Sequence, residues 1–213
     1  MPVRKIPKNY LVVTGSFASR KNGRMLGFES LLERDYMILL DFDDDVERFE
    51  EQPVSIPFKK GVKPYVPDVL IHYDPSRQGS RPVLAEVKHT SDLKKHQDKY
   101  TPKFEQAERY AQNREWDFRV VTEKEIRPER LKALKFLREY LHVEPYPGDI
   151  ARVLAELGGA GGQLPLDELL DGLCATDTER LLLVPTVWHL VVTRRIAIDY
   201  DQPINDKTLL SLP

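Results

Sequence analysis

Apolar and polar positions alternate with two different periods along this chain, and the period changes at identifiable places. Residues 28–42 (FESLLERDYMILLDF) carry Phe28, Leu31, Leu32, Met37, Leu39 and Leu40 on one broad face, which predicts a helix. Glu33 interrupts that face. The triple Asp43-Asp44-Asp45 then reads as a turn, and residues 46–58 as extended pieces whose Pro53 and Pro57 suit an edge strand. Two short runs follow, 68–73 (DVLIHY) and 83–88 (VLAEVK), with DPSRQGSRP between them as a loop; they predict an antiparallel strand pair. Downstream, residues 89–103 read as a polar loop and 103–113 as a helix, with Thr101-Pro102 as N-cap and first position. Residues 116–122 (WDFRVVT) predict a strand and 128–141 an amphipathic helix opened by a proline.

Pro145, Pro147 and Gly148 mark a linker, after which helices are expected at 149–157, 166–174 and 178–194, then a strand at 195–200. The expectation is an α/β domain over residues 1–143 and a small, mostly helical domain over 144–213. Three helices and a terminal β-ribbon give the second domain a winged-helix pattern. Charge supports the division. Residues 144–213 carry eleven acids and five bases, a balance of −6, against +4 for the first 143 residues. Two differently charged halves suggest two different partners.

Composition narrows the class further. With 213 residues, 41% of them hydrophobic and 31% charged, the chain reads as an ordinary soluble protein. No apolar run approaches membrane-spanning length and no signal-peptide core is visible, so a cytoplasmic location is expected. The single cysteine, Cys174, excludes an internal disulfide and a cysteine-rich zinc cluster. Five histidines form no HxH, HExxH or HNH spacing, which disfavours a zinc hydrolase, and His72 stands alone. The glycine run at 158–162 lacks the lysine of a nucleotide-binding loop and reads as a hinge.

Chemistry concentrates in the strand pair. Alternation places Glu86 and Lys88 on one face of their strand, with Val83, Ala85 and Val87 on the other, and Asp68 opens the neighbouring strand. Carboxylates suit hard divalent cations, which take oxygen ligands, so Glu33, Asp68, Glu86 and the Val87 carbonyl form a candidate magnesium site, with manganese as a substitute. Lys88 would orient or deprotonate a water, or stabilise developing negative charge. Gln106 and Tyr110, spaced i,i+4, share one helix face and are candidate accessory residues. Basic groups at Arg20, Lys21 and Arg24, preceded by Arg4, Lys5 and Lys8, and at Lys94, Lys95, Lys99 and Lys103 suit a DNA backbone.

These residues lie in longer stretches with a recognisable pattern. The segments ERDYMILLDFDDDVERFEEQP (33–53), YVPDVLI (65–71), LAEVKHTSDL (84–93) and QAERY (106–110) resemble the PD-(D/E)xK nuclease superfamily, and within it the TnsA endonucleases of Tns-type transposons. The resemblance covers roughly residues 20–140. It implies a restriction-endonuclease-like core, a mixed sheet flanked by helices, with Glu33, Asp68 and Lys88 at the catalytic positions and Glu86 at the adjacent metal-facing one. Some members carry glutamine where this chain has Glu86. It further implies a prokaryotic, nucleoid-associated subunit of a heteromeric transposase that cleaves the 5′ ends of the transposon in double-stranded DNA, beside a TnsB-like DDE transposase and a TnsC-like AAA+ regulator. A restriction- or repair-type nuclease, or an inert DNA-binding scaffold with the same fold, are the other readings.

Overall fold

The computed structural model describes residues 13–58, 63–76 and 80–213; Arg4, Lys5, Lys8 and part of the loop expected after Tyr73 lie outside the described residues. The chain divides into two compact units, residues 1–127 and 128–213. The boundary therefore falls before the helix that was expected to close the first domain at 143. No helix among the described residues is long and apolar enough to cross a membrane.

The first unit opens with a hairpin that the sequence pattern did not reveal, β1 (Gly15–Ser19) and β2 (Arg24–Phe28), paired antiparallel. Gly23 turns it with φ of 60°, a conformation that costs glycine little. Phe28 closes β2, so the helix expected at 28–42 begins later, as α1 (Leu31–Phe42). Its N-cap is Ser30, whose side chain accepts the Glu33 N–H. Glu33 thus sits in the first turn rather than mid-helix. The other end of α1 holds the hairpin turn: the buried Asp41 carboxylate accepts the Ser19 hydroxyl at 2.6 Å and the backbone N–H groups of Arg20 and Lys21, each at 3.2 Å.

A four-stranded mixed sheet follows: β3 (Val46–Glu51), β4 (Val69–Tyr73), β5 (Val83–Val87) and, after α2 (Thr90–Lys95) and α3 (Gln97–Gln112), β6 (Asp117–Val121). Its order is β3-β4-β5-β6, with β3 the edge strand that the prolines anticipated. The first three strands are antiparallel and β6 is parallel to β5, a step that requires the α2–α3 crossover. Every residue of β5 is buried, as expected of a strand covered on both faces. On one face Leu70 and Leu84 pack with Ile56, Tyr65, Ala107 and Ala111, flanked by Phe104, Tyr110, Trp116 and Phe118. The short α4 (Glu123–Ile126), started by a capping box from Thr122 and Glu125, packs on α1.

The stretch expected as a loop is helical over 90–95 and from 97 onward, which corrects two expectations. Pro102 lies inside α3, not at its start, and Thr101 is no cap; its hydroxyl donates to the Gln97 carbonyl at 3.0 Å. Proline past the first turn removes the bond to the Asp98 carbonyl and crowds that carbonyl, yet α3 continues through it.

The second unit contains α5 (Glu129–Arg138), α6 (Pro147–Gly159), β7 (Gln163–Pro165), α7 (Leu166–Leu173), α8 (Asp177–Val192) and β8 (Leu209–Ser211). Phe136 meets Trp188 edge-on at 5.5 Å, and α5 packs against α8, which is why α5 belongs to this unit. The strand expected at 195–200 is reduced to one bridge, Ala197 with Ser211, and β8 pairs with β7 instead.

Candidate active site

Asp68 is fixed before its side chain is considered. Its N–H donates to the Ala85 carbonyl at 3.1 Å and its carbonyl accepts the Gln52 N–H at 2.8 Å, which locks the start of β4 between its two neighbours. Lys88 is held in the same way, its N–H on the Val121 carbonyl of β6 at 3.0 Å. Because Leu84 faces α3, alternation turns Glu86 toward that side as well.

Three oxygens converge on the Lys88 ammonium: Glu86 Oε1 at 2.8 Å, the Val87 carbonyl at 2.9 Å and Asp68 Oδ2 at 3.2 Å. Asp68 Oδ2 also accepts the Val87 N–H at 2.7 Å, and Glu86 Oε2 accepts the Tyr65 hydroxyl at 2.8 Å. Glu33 stands apart from this cradle. Its Oε1 accepts the Ser30 hydroxyl at 2.9 Å and its Oε2 the Glu29 N–H at 2.8 Å.

Burial, reinforced by the Asp68 carboxylate, pushes both Glu33 and Glu86 up to about 7. Asp68 is thus the charge that both glutamates feel. Burial disfavours the Lys88 charge, yet Asp68 and Glu86 outweigh it and hold the ammonium above the usual lysine range. Lys88 in this arrangement is a cation and not a free base. The Tyr65 phenol is also raised, by burial first and by Glu86 second, so it remains a donor.

A divalent cation was expected here, and the donor chemistry fits one. The three oxygens that surround the ammonium are those expected from Asp68, Glu86 and Val87, and a positive charge already occupies their focus. Oxygen donors of this kind are what magnesium and manganese take. Among the described residues no three His, Cys, Asp or Glu side chains are grouped to hold an ion. The reason is visible in Glu33, whose oxygens are turned to the helix cap.

The remaining candidates scatter. Tyr110 packs edge-on against Trp116 at 6.4 Å and lies under the Arg114 guanidinium at 3.6 Å, in the α3 core cluster. Gln106 is half-buried and its side chain makes no hydrogen bond among the described residues. Lys103 lies over the Tyr65 ring at 5.7 Å, one side chain from Glu86, whereas Lys94, Lys95 and Lys99 are exposed. The N-terminal basic residues have internal partners. Arg24 grips the buried Glu51 with both nitrogens at 2.7 Å, Arg20 stacks on Phe42 at 4.4 Å beside Asp41, and Lys21 donates to the Val46 carbonyl. His72 pairs with Glu50 at 3.0 Å.

Sequence reasoning missed Tyr65, Ser30 and Gln52. Ser30-Leu31-Leu32-Glu33 carries the spacing of a capping box, a signal that was available. Tyr65 sits in an isolated bridge with Ile56, which no periodicity announces. Gln52 turns with φ of 45° and buries a side-chain oxygen that has no hydrogen-bond partner among the described residues, while its N–H holds Asp68.

No curated protein matches the sequence. Residues 43–123 match the family model described as TnsA-like endonuclease N terminal. The matched stretch contains Asp68, Glu86 and Lys88 and begins after Glu33. Across residues 43–123, therefore, the chain is similar to the N-terminal domain of TnsA-like endonucleases.

Proposed function

We propose that the chain hydrolyses DNA phosphodiesters with magnesium, as the endonuclease subunit of a Tns-type heteromeric transposase that cuts the 5′ ends of the transposon. The observation that carries this reading is the convergence of Glu86 Oε1, the Val87 carbonyl and Asp68 Oδ2 on one positive charge. Asp68, Glu86 and the Val87 carbonyl would hold the metal, and Lys88 would move off to face the phosphate. Bound there, the ion supplies charge neutralisation at phosphorus and a more acidic water. Lys88, which stays protonated, stabilises the leaving oxyanion. Glu33, raised to about 7 by burial and by the Asp68 charge, would accept a proton from the attacking water once its carboxylate leaves the Ser30 hydroxyl and the Glu29 N–H. Val87 N–H and Tyr65 keep the two carboxylates aimed.

The second unit, three helices α6–α8 with the β7–β8 ribbon, is read as a winged-helix-like module for DNA or for a TnsC-like regulator, and a TnsB-like partner delivers the DNA end. Asp68→Asn is the decisive variant, because an amide oxygen still accepts the Val87 N–H while the charge is lost. It should lower magnesium-dependent nicking of transposon-end DNA by at least about a hundredfold with an unchanged circular dichroism spectrum. Undiminished nicking would overturn the assignment, and efficient site-specific cutting by the isolated chain would overturn the partner dependence. An inert scaffold is favoured by one fact, that Lys88 already neutralises the cradle; calorimetry showing no magnesium or manganese uptake would establish it.

A further inference from the structure

We propose that a pocket between α2 and α3 holds one unstacked nucleobase of the DNA beside the phosphate that is cut. This inference rests on the nuclease reading. The pocket encloses about 300 Å³ and is lined by Leu93, Lys94, Gln97, Tyr100, Thr101 and Phe104. That is the lower end of small-molecule sites, a size for one ring system rather than a larger ligand. Its aromatic wall is rigid. The Tyr100 and Phe104 rings stack with centroids 5.5 Å apart and 9° between planes, Tyr100 is fixed by its hydroxyl on Asp92 at 2.5 Å, and Phe104 leans on Phe118 at 5.7 Å.

The rim carries the complementary polar chemistry. Gln97 is exposed and its amide makes no hydrogen bond among the described residues, so it offers both a donor and an acceptor to a base edge. Lys94 is exposed beside it, and Lys95 and Lys99 continue the positive charge along the same two helices. Aromatic walls with flanking ammonium groups are how proteins take single nucleotides without reading sequence.

Position ties the pocket to the carboxylates. Phe104 packs on the cluster that contains Tyr65 and Leu84, Lys103 lies over the Tyr65 ring, and Tyr65 donates to Glu86. A strand whose phosphate lies at Asp68 and Glu86 would therefore present a neighbouring base to Tyr100 and Phe104. Extracting that base unstacks the duplex and fixes the register of the cut.

The test uses the full chain carrying Asp68→Asn, so that DNA is bound without being cut, and transposon-end duplexes with 2-aminopurine placed at successive positions around the nick. Binding is followed separately by anisotropy. The expected result is a rise in 2-aminopurine emission at one position next to the nick. Adding Thr101→Trp, which fills the pocket from its exposed rim, should abolish that rise and weaken binding about tenfold, the share of one stacked base. Bound duplex with unchanged emission at every position, or a rise that survives Thr101→Trp, would overturn the pocket. A wild-type chain that, with a TnsB-like transposase added to deliver the DNA end, gives the emission signal but never nicks would keep the pocket and sink the hydrolase reading; no DNA binding even with that partner present would sink both.

Discussion

Lys88 is a cation that two acids, Asp68 and Glu86, share at short range, and its removal has a calculable sign. Its side chain is 22% exposed, against 13% for Asp68 and 5% for Glu86, so the charges are largely out of water. Removing one partner from such a set leaves uncompensated charge and costs about 3 kcal/mol. The cost depends on pH. Glu33 and Glu86 have folded values near 7, above the unfolded value of 4.5, so their contribution to stability is fully present below 4.5 and is lost as pH rises through about 7. Lys88, raised above its ordinary value, keeps its own contribution throughout that range. Lys88→Met removes the charge that restrains both glutamates, so its penalty in urea unfolding should be near 3 kcal/mol at pH 8 and clearly smaller at pH 5. A penalty independent of pH would mean that Lys88 acts through packing. The residue scale is also where the sequence was most readable. Asp68, Glu86 and Lys88 lie at the ends of two apolar strands, and alternation alone put Glu86 and Lys88 together. Tyr65 was not readable, because its contact with Glu86 crosses an irregular segment; the capping role of Glu33, which competes with its turning toward the cradle, was signalled by Ser30 three residues before it.

The elements divide by how much burial each one records in its own sequence. Strands β4, β5 and β6 and helices α5 to α8 declare themselves as apolar runs or amphipathic faces. The β1–β2 hairpin does not, since only Phe17, Ser19, Leu26 and Phe28 of its ten strand residues are buried and one of them is polar. Its stability comes from Asp41 and from the Arg24–Glu51 fork, long-range pairs that periodicity cannot show. That changes the meaning of Arg24. Its charge is spent on a glutamate that is 3% exposed, whereas Lys94 and Lys95 on α2 face solvent. Arg24→Gln should therefore lower thermal stability, by about 2 kcal/mol once screening of the half-exposed guanidinium is allowed for, and leave the salt dependence of DNA binding unchanged. The double variant Lys94→Gln with Lys95→Gln should do the reverse. Each lost phosphate contact reduces the slope of log K against log salt by about 0.9, so the pair should reduce it by about 2 with little change in melting temperature. Equal slopes for the two variants and the wild type would remove α2 from the DNA surface.

At the scale of the whole molecule, two compact units divide the work, and each contains one of the two tryptophans. Trp116 lies in the first unit against Tyr110 and Arg114, and Trp188 lies in the second against Phe136. The carboxylate cradle of Asp68, Glu86 and Lys88 is entirely in the first unit, and so is Glu33. The sequence placed the division at 143 because prolines and charge change there; the structure places it at 127 because the apolar face of α5 packs on α8, a partner that follows it by some forty residues and leaves no local signal. This division makes metal binding measurable without activity. A ligand that binds the folded state at about a hundred times its dissociation constant adds about 2.7 kcal/mol to stability, and only to the unit that holds it. In a Trp188→Phe variant, magnesium should raise the midpoint of thermal unfolding followed by Trp116. In Trp116→Phe, the transition followed by Trp188 should not move. An additional Asp68→Asn change should cancel the first shift while leaving the second where it was. If both probes shift together, the two units unfold as one cooperative body; if neither shifts, Lys88 keeps the cradle to itself and the metal-dependent reading falls.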